Sequence, residues 1–337
     1  MCRRICAGVC IIGRVDHDLL ARELLGAVCG RRSRRLLAKK LGYRTNVLNR
    51  WESGERAPSI SELFRLAKLV GIDLIAVCAA FDTSAFSAGE QRLRQGDVSE
   101  FLRVLAGTQS ITTLAEGAGL SRFVVSRILA GITEPKVGVF LKLLDVATGR
   151  ALDWIAGFVD PPKLPSAQEE WARLTAYRRL AYDHPASEAV LALLELREQA
   201  GLSAHRPGWI ASRLSITLNE EEETLQALST AGLIVWKRNR WRVNDDQRFV
   251  DTRSDPAAFA RLKQFWAQKA AEQLEARGGN LCAYVVFSAT QADVEAISNI
   301  NLEAFRDVRR VVRDSKPAQR AVLLTVQLTA LDGKPVL

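Results

Sequence analysis

Gly42-Tyr43-Arg44-Thr45-Asn46-Val47-Leu48-Asn49-Arg50-Trp51-Glu52-Ser53-Gly54-Glu55-Arg56-Ala57-Pro58 is the stretch whose reading decides the N-terminal fold. Tyr43, Val47, Leu48 and Trp51 recur at i, i+4, i+5 and i+8, one face of a helix. Arg44, Thr45, Asn46, Asn49 and Arg50 fall on the opposite face. Gly54 stands where a helix commonly stops, and Pro58 lies just beyond it. Upstream, Ser33 to Gly42 reads as a preceding helix with Ser33 as N-cap. Ala38 allows close helix approach, and Gly42 makes the turn. Together these features predict a helix-turn-helix. The outer face of its second helix carries Arg and Asn, side chains that pair bidentately with guanine and adenine edges.

The surroundings agree with that reading. The chain has 337 residues and a net charge of +9, enough length for two or three domains. Residues 1–80 hold 15 Lys and Arg against 7 Asp and Glu, a net of +8. Residues 81–160 hold 8 against 9, a net of −1. The basic excess therefore sits on the helix-turn-helix, as a phosphate-binding module requires. No apolar run approaches the roughly 18 residues of a membrane span. No cleavable signal peptide is recognisable, so a cytoplasmic protein is expected.

The same stretch resembles the lambda-repressor-like, or XRE-type, helix-turn-helix family. The matching residues are Leu37-Ala38, Leu41-Gly42, Arg50-Trp51-Glu52, Gly54 and Pro58. Arg44 departs from the pattern, because the family usually places a Ser or Thr cap there. On this reading Thr45, Asn46, Asn49 and Arg50 lie near base edges, Arg44 is on the same face, and Arg34, Lys39 and Lys40 contact phosphates.

A second copy follows at an offset of 77 residues. Gly119-Leu-Ser-Arg-Phe-Val-Val-Ser-Arg-Ile-Leu-Ala-Gly-Ile-Thr-Glu-Pro135 aligns with Gly42 to Pro58. The inward set becomes Leu120, Val124, Val125 and Ile128, all apolar. Ala38, Arg50, Gly54 and Pro58 map to Ala115, Arg127, Gly131 and Pro135. Ser121 is a proper N-cap, and the outer face is Ser121, Arg122, Phe123, Ser126 and Arg127. This copy is electrically neutral, so it either reads DNA weakly or packs against protein. Phe123 suits a thymine methyl or an apolar partner.

The predicted fold is mainly α, with tandem five-helix helix-turn-helix domains, a winged-helix-like unit and a small α+β C-terminal cap. A flexible tail covers 1–15, the first domain 16–82, a linker 83–96 and the second domain 97–160. The opening helix, 16–28, turns Leu19, Leu20, Leu24, Leu25 and Val28 inward. A hinge-like Pro-rich linker and a helix span 161–186, and the winged-helix-like unit spans 187–250. In that unit a helix from Asn219 to Ala231, capped by Asn219, precedes a hairpin around Lys237-Arg238-Asn239. Glu220 to Glu223 crowd that helix as a solvated start and oppose phosphate binding, so a structural or dimer-forming role is expected. Residues 255–333 form the cap, with strands at 281–288 and 321–329. Two strands alone are poorly stable, so further strands, from a second subunit for example, are expected.

Residues from about 97 to 333 resemble a bacterial family of transcriptional regulators whose C-terminal half is a domain of unknown function. The resemblance rests on the helix-turn-helix at 111–131, Trp209-Ile-Ala with Leu214, Ala231-Gly-Leu-Ile, Ile300-Asn-Leu-Glu-Ala-Phe-Arg and Val326-Gln-Leu-Thr-Ala-Leu. It implies regulation without naming a ligand. The additional N-terminal unit departs from that family.

Catalytic chemistry has no visible constellation. Three His, at 17, 184 and 205, lack metal-ligand spacing, and no nucleophile elbow, Walker loop or dinucleotide fingerprint occurs. Cys2, Cys6 and Cys10 repeat at a spacing foreign to standard zinc sites, and Cys29, Cys78 and Cys282 read as buried thiols. Neither an enzyme, a cofactor nor a metal is expected. The expected protein is a homodimeric transcriptional regulator bound to double-stranded DNA, with an unknown effector or protein as a further partner. The alternative is a protein-interaction adaptor or antitoxin-like regulator whose helix-turn-helix units mainly hold protein.

Overall fold

The computed structural model describes residues 15–196, 204–244, 252, 255–276, 281–283, 285–315 and 317–332. Cys2, Cys6, Cys10 and nearly all of the expected tail lie outside the described residues. The chain divides into two compact units, Met1–Leu174 and Thr175–Leu337.

The first unit is helical throughout its described part. It contains α1 (His17–Cys29), α2 (Arg34–Lys40), α3 (Val47–Ser53), α4 (Ile60–Leu69), α5 (Leu74–Phe81) and α6 (Thr83–Arg94). It continues with α7 (Ser99–Ala106), α8 (Ile111–Ala118), α9 (Arg122–Leu129), α10 (Val137–Thr148) and α11 (Ala151–Ala156). Polar side chains start several of these helices by accepting from free amides. Asp16 caps α1, Ser33 caps α2 and Ser59 forms a reciprocal capping box with Glu62. One apolar core runs from Val15 to Ala167, with Trp51, Phe101, Phe140 and Trp154 fully buried. Helix starts recur at an offset of 77 residues: α2 with α8, α4 with α10 and α5 with α11.

Three expectations for this unit are corrected. The linker expected at 83–96 is mostly helix α6. Asp82 caps it at the Ala85 amide, 2.9 Å away, and Ala85, Gly89 and Leu93 face inward. Ala85 and Gly89 supply little hydrophobic signal, yet Gly89 lets α6 lie close to α7. The hinge expected after Pro161 is two single-turn 3₁₀ helices, 161–163 and 165–167. Leu164 and Ala167 join the core, and the Ser166 hydroxyl donates to Glu23 at 2.7 Å. Leu19 is 36% exposed rather than inward, since the buried stripe of α1 runs through Leu20, Leu24, Leu25 and Val28.

Helix α12 (Gln168–Asp183) spans the boundary between the units. The second unit then has α13 (Ser187–Leu194), α14 (Ala211–Leu214), α15 (Leu218–Thr230), β1 (Ile234–Trp236) and β2 (Trp241–Val243). It also has α16 (Pro256–Ala276) and α17 (Gln291–Asp314). The strands pair antiparallel with Val235 opposite Arg242. Arg238 and Asn239 both have positive φ, 55° and 57°, the conformation a tight two-residue hairpin demands. A core of Val190, Leu193, Trp209, Ile210, Leu225, Leu228 and Ile234 joins α13 to α15 and the hairpin.

Here the sequence reading is corrected at four points. Thr217, not Asn219, caps α15, through a capping box with Glu220. Glu221 is fully buried rather than solvated. Its carboxylate accepts from the amides of Ala211 and Gly208, so it holds the start of α14. Cys282 is exposed, unlike the buried Cys29 and Cys78. The strands expected at 281–288 and 321–329 are absent among the described residues, where β1 and β2 form the only sheet. Leu281, Val285, Val286 and Val322 stand 74–102% exposed. Apolar β-rich runs cannot form a ladder without a neighbouring strand.

Candidate nucleic-acid interface

Helix α3 is held from its inner side. Trp51 is 0% exposed and Val47 and Leu48 are 1% exposed. The half-buried Tyr43 ring meets Trp51 edge-on at 5.9 Å, and its hydroxyl donates to Glu62. Burial and that hydrogen bond raise the Tyr43 pKa, keeping the phenol protonated. Glu62 also accepts from the Ser59 amide at 2.7 Å and pairs with Arg56 at 2.9 Å. The helix stops at Gly54, whose φ of 84° is left-handed. The sequence residues that face inward therefore fix which residues face out.

The outward residues separate into two groups. Asn49 and Arg50 are exposed on α3, and Arg44 and Thr45 are exposed just before it. Arg50 pairs with Glu55 at 3.3 Å, both side chains remaining more than half exposed. Asn46 differs from the sequence expectation. It is the N-cap of α3 without a capping hydrogen bond, and its Oδ1 is buried without a protein partner. Helix α3 begins one turn later than the periodicity suggests, which draws Asn46 inward.

Among the expected phosphate contacts, Lys39 and Lys40 are exposed in the last turn of α2. Arg34 is instead half-buried and tied within the unit. It pairs with Glu52 at 3.0 Å and donates to the Arg32 carbonyl at 3.0 Å. Its guanidinium joins α2 to α3. Arg31, Arg32 and Arg35 are exposed beside it, and the sequence reading passed over them. The run Arg31-Arg32-Ser33-Arg34-Arg35 was the available signal.

At the second copy, Ser121 caps α9 by accepting from the Val124 amide at 3.3 Å. Arg122, Phe123 and Ser126 are exposed, Phe123 by 70%. Arg127 is half-buried, with Nε donating to the Thr133 hydroxyl at 2.9 Å and its guanidinium 5.4 Å from the Phe123 ring centroid. Val125 and Ile128 are buried as expected, whereas Val124 is 36% exposed. Both α3 and α9 thus present polar side chains outward, but only α9 presents an aromatic ring.

Among the described residues no cluster of His, Cys, Asp and Glu is arranged to hold a metal. No described helix is long and apolar enough to cross a membrane.

Comparison with known families matches residues 31–77 to a helix-turn-helix model. Residues 166–331 match a family described as a domain of unknown function, DUF4423. The first match takes in α2, α3, α4 and the start of α5. No curated protein and no solved structure matches the chain.

Proposed function

We propose that the protein is a sequence-specific DNA-binding transcriptional regulator that inserts α3 into the major groove and acts as a homodimer. The observation that carries this reading is the outward pair Asn49 and Arg50 on a helix whose inner face is locked by Trp51. That helix lies within the matched helix-turn-helix, 31–77. Asn and Arg are the side chains that distinguish adenine and guanine in the major groove. Lys39, Lys40 and the exposed Arg31, Arg32 and Arg35 supply the cationic footing on phosphates. Pairing of chains is supported by the apolar side chains exposed in the second unit, among them Leu281, Val285 and Val322, because covering apolar area is favourable.

Purified full-length protein mixed with sequenced genomic fragments tests the reading. The wild type is expected to enrich one motif, and to lose it steeply as salt rises. Asn49→Ala is expected to weaken specific binding by about 1–3 kcal/mol and to relax base choice at one position. An unchanged motif for that variant removes Asn49 from the reading residues. The rival reading, an adaptor whose helix-turn-helix units hold protein, draws on the exposed Phe123 and Val124. It forecasts no enriched motif and little salt dependence.

A further inference from the structure

One pair of backbone hydrogen bonds in the first unit is exchanged between equivalent positions. The Ile60 amide donates to the Pro135 carbonyl at 3.0 Å, and the Val137 amide donates to the Pro58 carbonyl at 3.0 Å. Ser59 and Lys136 form an antiparallel bridge between them. At the 77-residue offset Pro58 corresponds to Pro135, Ser59 to Lys136 and Ile60 to Val137. Each segment therefore gives its partner what it receives. Close approaches flank the bridge on both sides, without repeating the exchange residue for residue. A Cβ at Gly96 would lie 2.8 Å from the Ser61 Cβ, and a Cβ at Gly138 would run into the Asp18 carboxylate. Ser61 corresponds to Gly138, and Gly96 to Leu19, the neighbour of Asp18. A contact in which i meets j and j meets i is isologous, the mark of a two-fold relation.

Side chains fasten the same junction. Lys142 pairs with Asp18 at 2.6 Å and His17 with Asp145 at 3.2 Å, joining α1 to α10. The Ser61 amide donates to Glu134 at 2.8 Å. Burial alone would raise the Glu134 pKa, but hydrogen bonds from Ser61 and Ser59 outweigh it and keep the carboxylate ionised. The loops leaving the two outward-facing helices, 54–58 and 131–135, both run directly into the bridge. Helices α3 and α9 are thus each tied by a short loop to one reciprocal bridge.

Resting on the DNA-reading function proposed above, we propose that one chain carries a built-in pseudo-dimer, in which α3 and α9 read two unlike half-sites at one fixed spacing. A symmetric dimer of identical helices reads a palindrome. Here α3 offers Asn49 and Arg50, which suit adenine and guanine, while α9 offers Phe123, which suits a thymine methyl, and Arg122. The basic first copy supplies most of the phosphate attraction. The neutral second copy, held in place by the bridge, adds base choice without needing high affinity of its own.

The test is motif selection from random duplexes with the full-length chain, the Asn49→Ala chain and a chain carrying both Arg122→Ala and Phe123→Ala. Both α9 side chains are exposed, so the core is untouched. The wild type is expected to select two unlike half-sites at a single separation. Asn49→Ala is expected to blur one half-site and the α9 variant the other, each with a loss of roughly tenfold in affinity. Inserting about five base pairs, half a helical turn, between the half-sites is expected to abolish the gain from the second. The readout concerns half-sites within a motif and does not depend on how many chains bind. An α9 variant that selects the wild-type motif at every position, or binding that tolerates the insertion, overturns the pseudo-dimer and leaves the DNA-reading function standing. Failure of the wild type to select any motif overturns both.

Discussion

Cys29 and Cys78 sit at 0% exposure in the core that also holds Trp51 and Trp154. Burial pushes both thiols up to about 11, so each remains neutral and unreactive at ordinary pH. Unfolded thiols titrate near about 8.5. The folded value is raised, so the stabilisation is fully present below that pH and is lost as pH rises toward about 11. Iodoacetamide at pH 8 is therefore expected to label Cys29 and Cys78 only on unfolding. Peptide mass spectrometry checks this, and rapid labelling of Cys29 in the folded protein would contradict the packing. At this scale the sequence was legible where apolar periodicity was strong, as at Val47, Leu48 and Trp51. It was misleading where one side chain serves a distant backbone. Glu221 looked like part of a solvated acidic run because nothing local reveals that its carboxylate holds amides at Gly208 and Ala211. Arg34 looked free for the same reason, its partner Glu52 lying on another helix.

At the scale of elements, α6 is the clearest case of structure hidden by composition. Thr83, Ser84, Ser87, Gly89 and Gln91 suggested a linker. The cap at Asp82 and the small inward residues Ala85 and Gly89 were the countersigns. A Cβ at Gly89 would stand 3.1 Å from the Phe101 amide nitrogen and 3.4 Å from the Glu100 Cβ. A backbone atom cannot step aside as a flexible side chain does. Gly89→Leu is expected to separate α6 from α7 and to lower stability by about 1–3 kcal/mol despite its better helix propensity. Urea unfolding followed by circular dichroism measures the loss. A variant as stable as the wild type would mean that the two helices do not approach this closely in solution. The opposite error occurred at 281–288 and 321–329. Their composition favours strands, but a strand exists only with a neighbour, and no local pattern supplies one. By contrast the β1–β2 hairpin was legible, because both strands and their turn lie within one short segment.

Across the whole molecule, the candidate reading surface was more legible than the assembly that carries it. Asn49, Arg50, Arg122 and Phe123 follow from the helical period alone, whereas the exchange between Pro58 and Pro135 depends on two segments folding onto each other. The second unit poses the matching question about chain pairing. Leu281, Val285, Val286, Val322, Leu331 and Ile300 are 65–102% exposed, apolar area whose covering would be favourable. If a second copy covers them, the free chain gains nothing from their apolarity, so charge can replace it without harm to the core. Sedimentation equilibrium of the wild type is expected at twice the 37.2 kDa chain mass. The double variant Val285→Asp and Val322→Asp is expected to fall to the chain mass with its helical circular dichroism unchanged. Such a variant separates the two levels of assembly, because the proposed reading pair α3 and α9 lies within each chain. It should retain the two-part motif while binding it more weakly, by the loss of a second linked reader. A wild type that sediments as a single chain at micromolar concentration would remove the homodimer and leave the pairing of half-sites to the first unit alone.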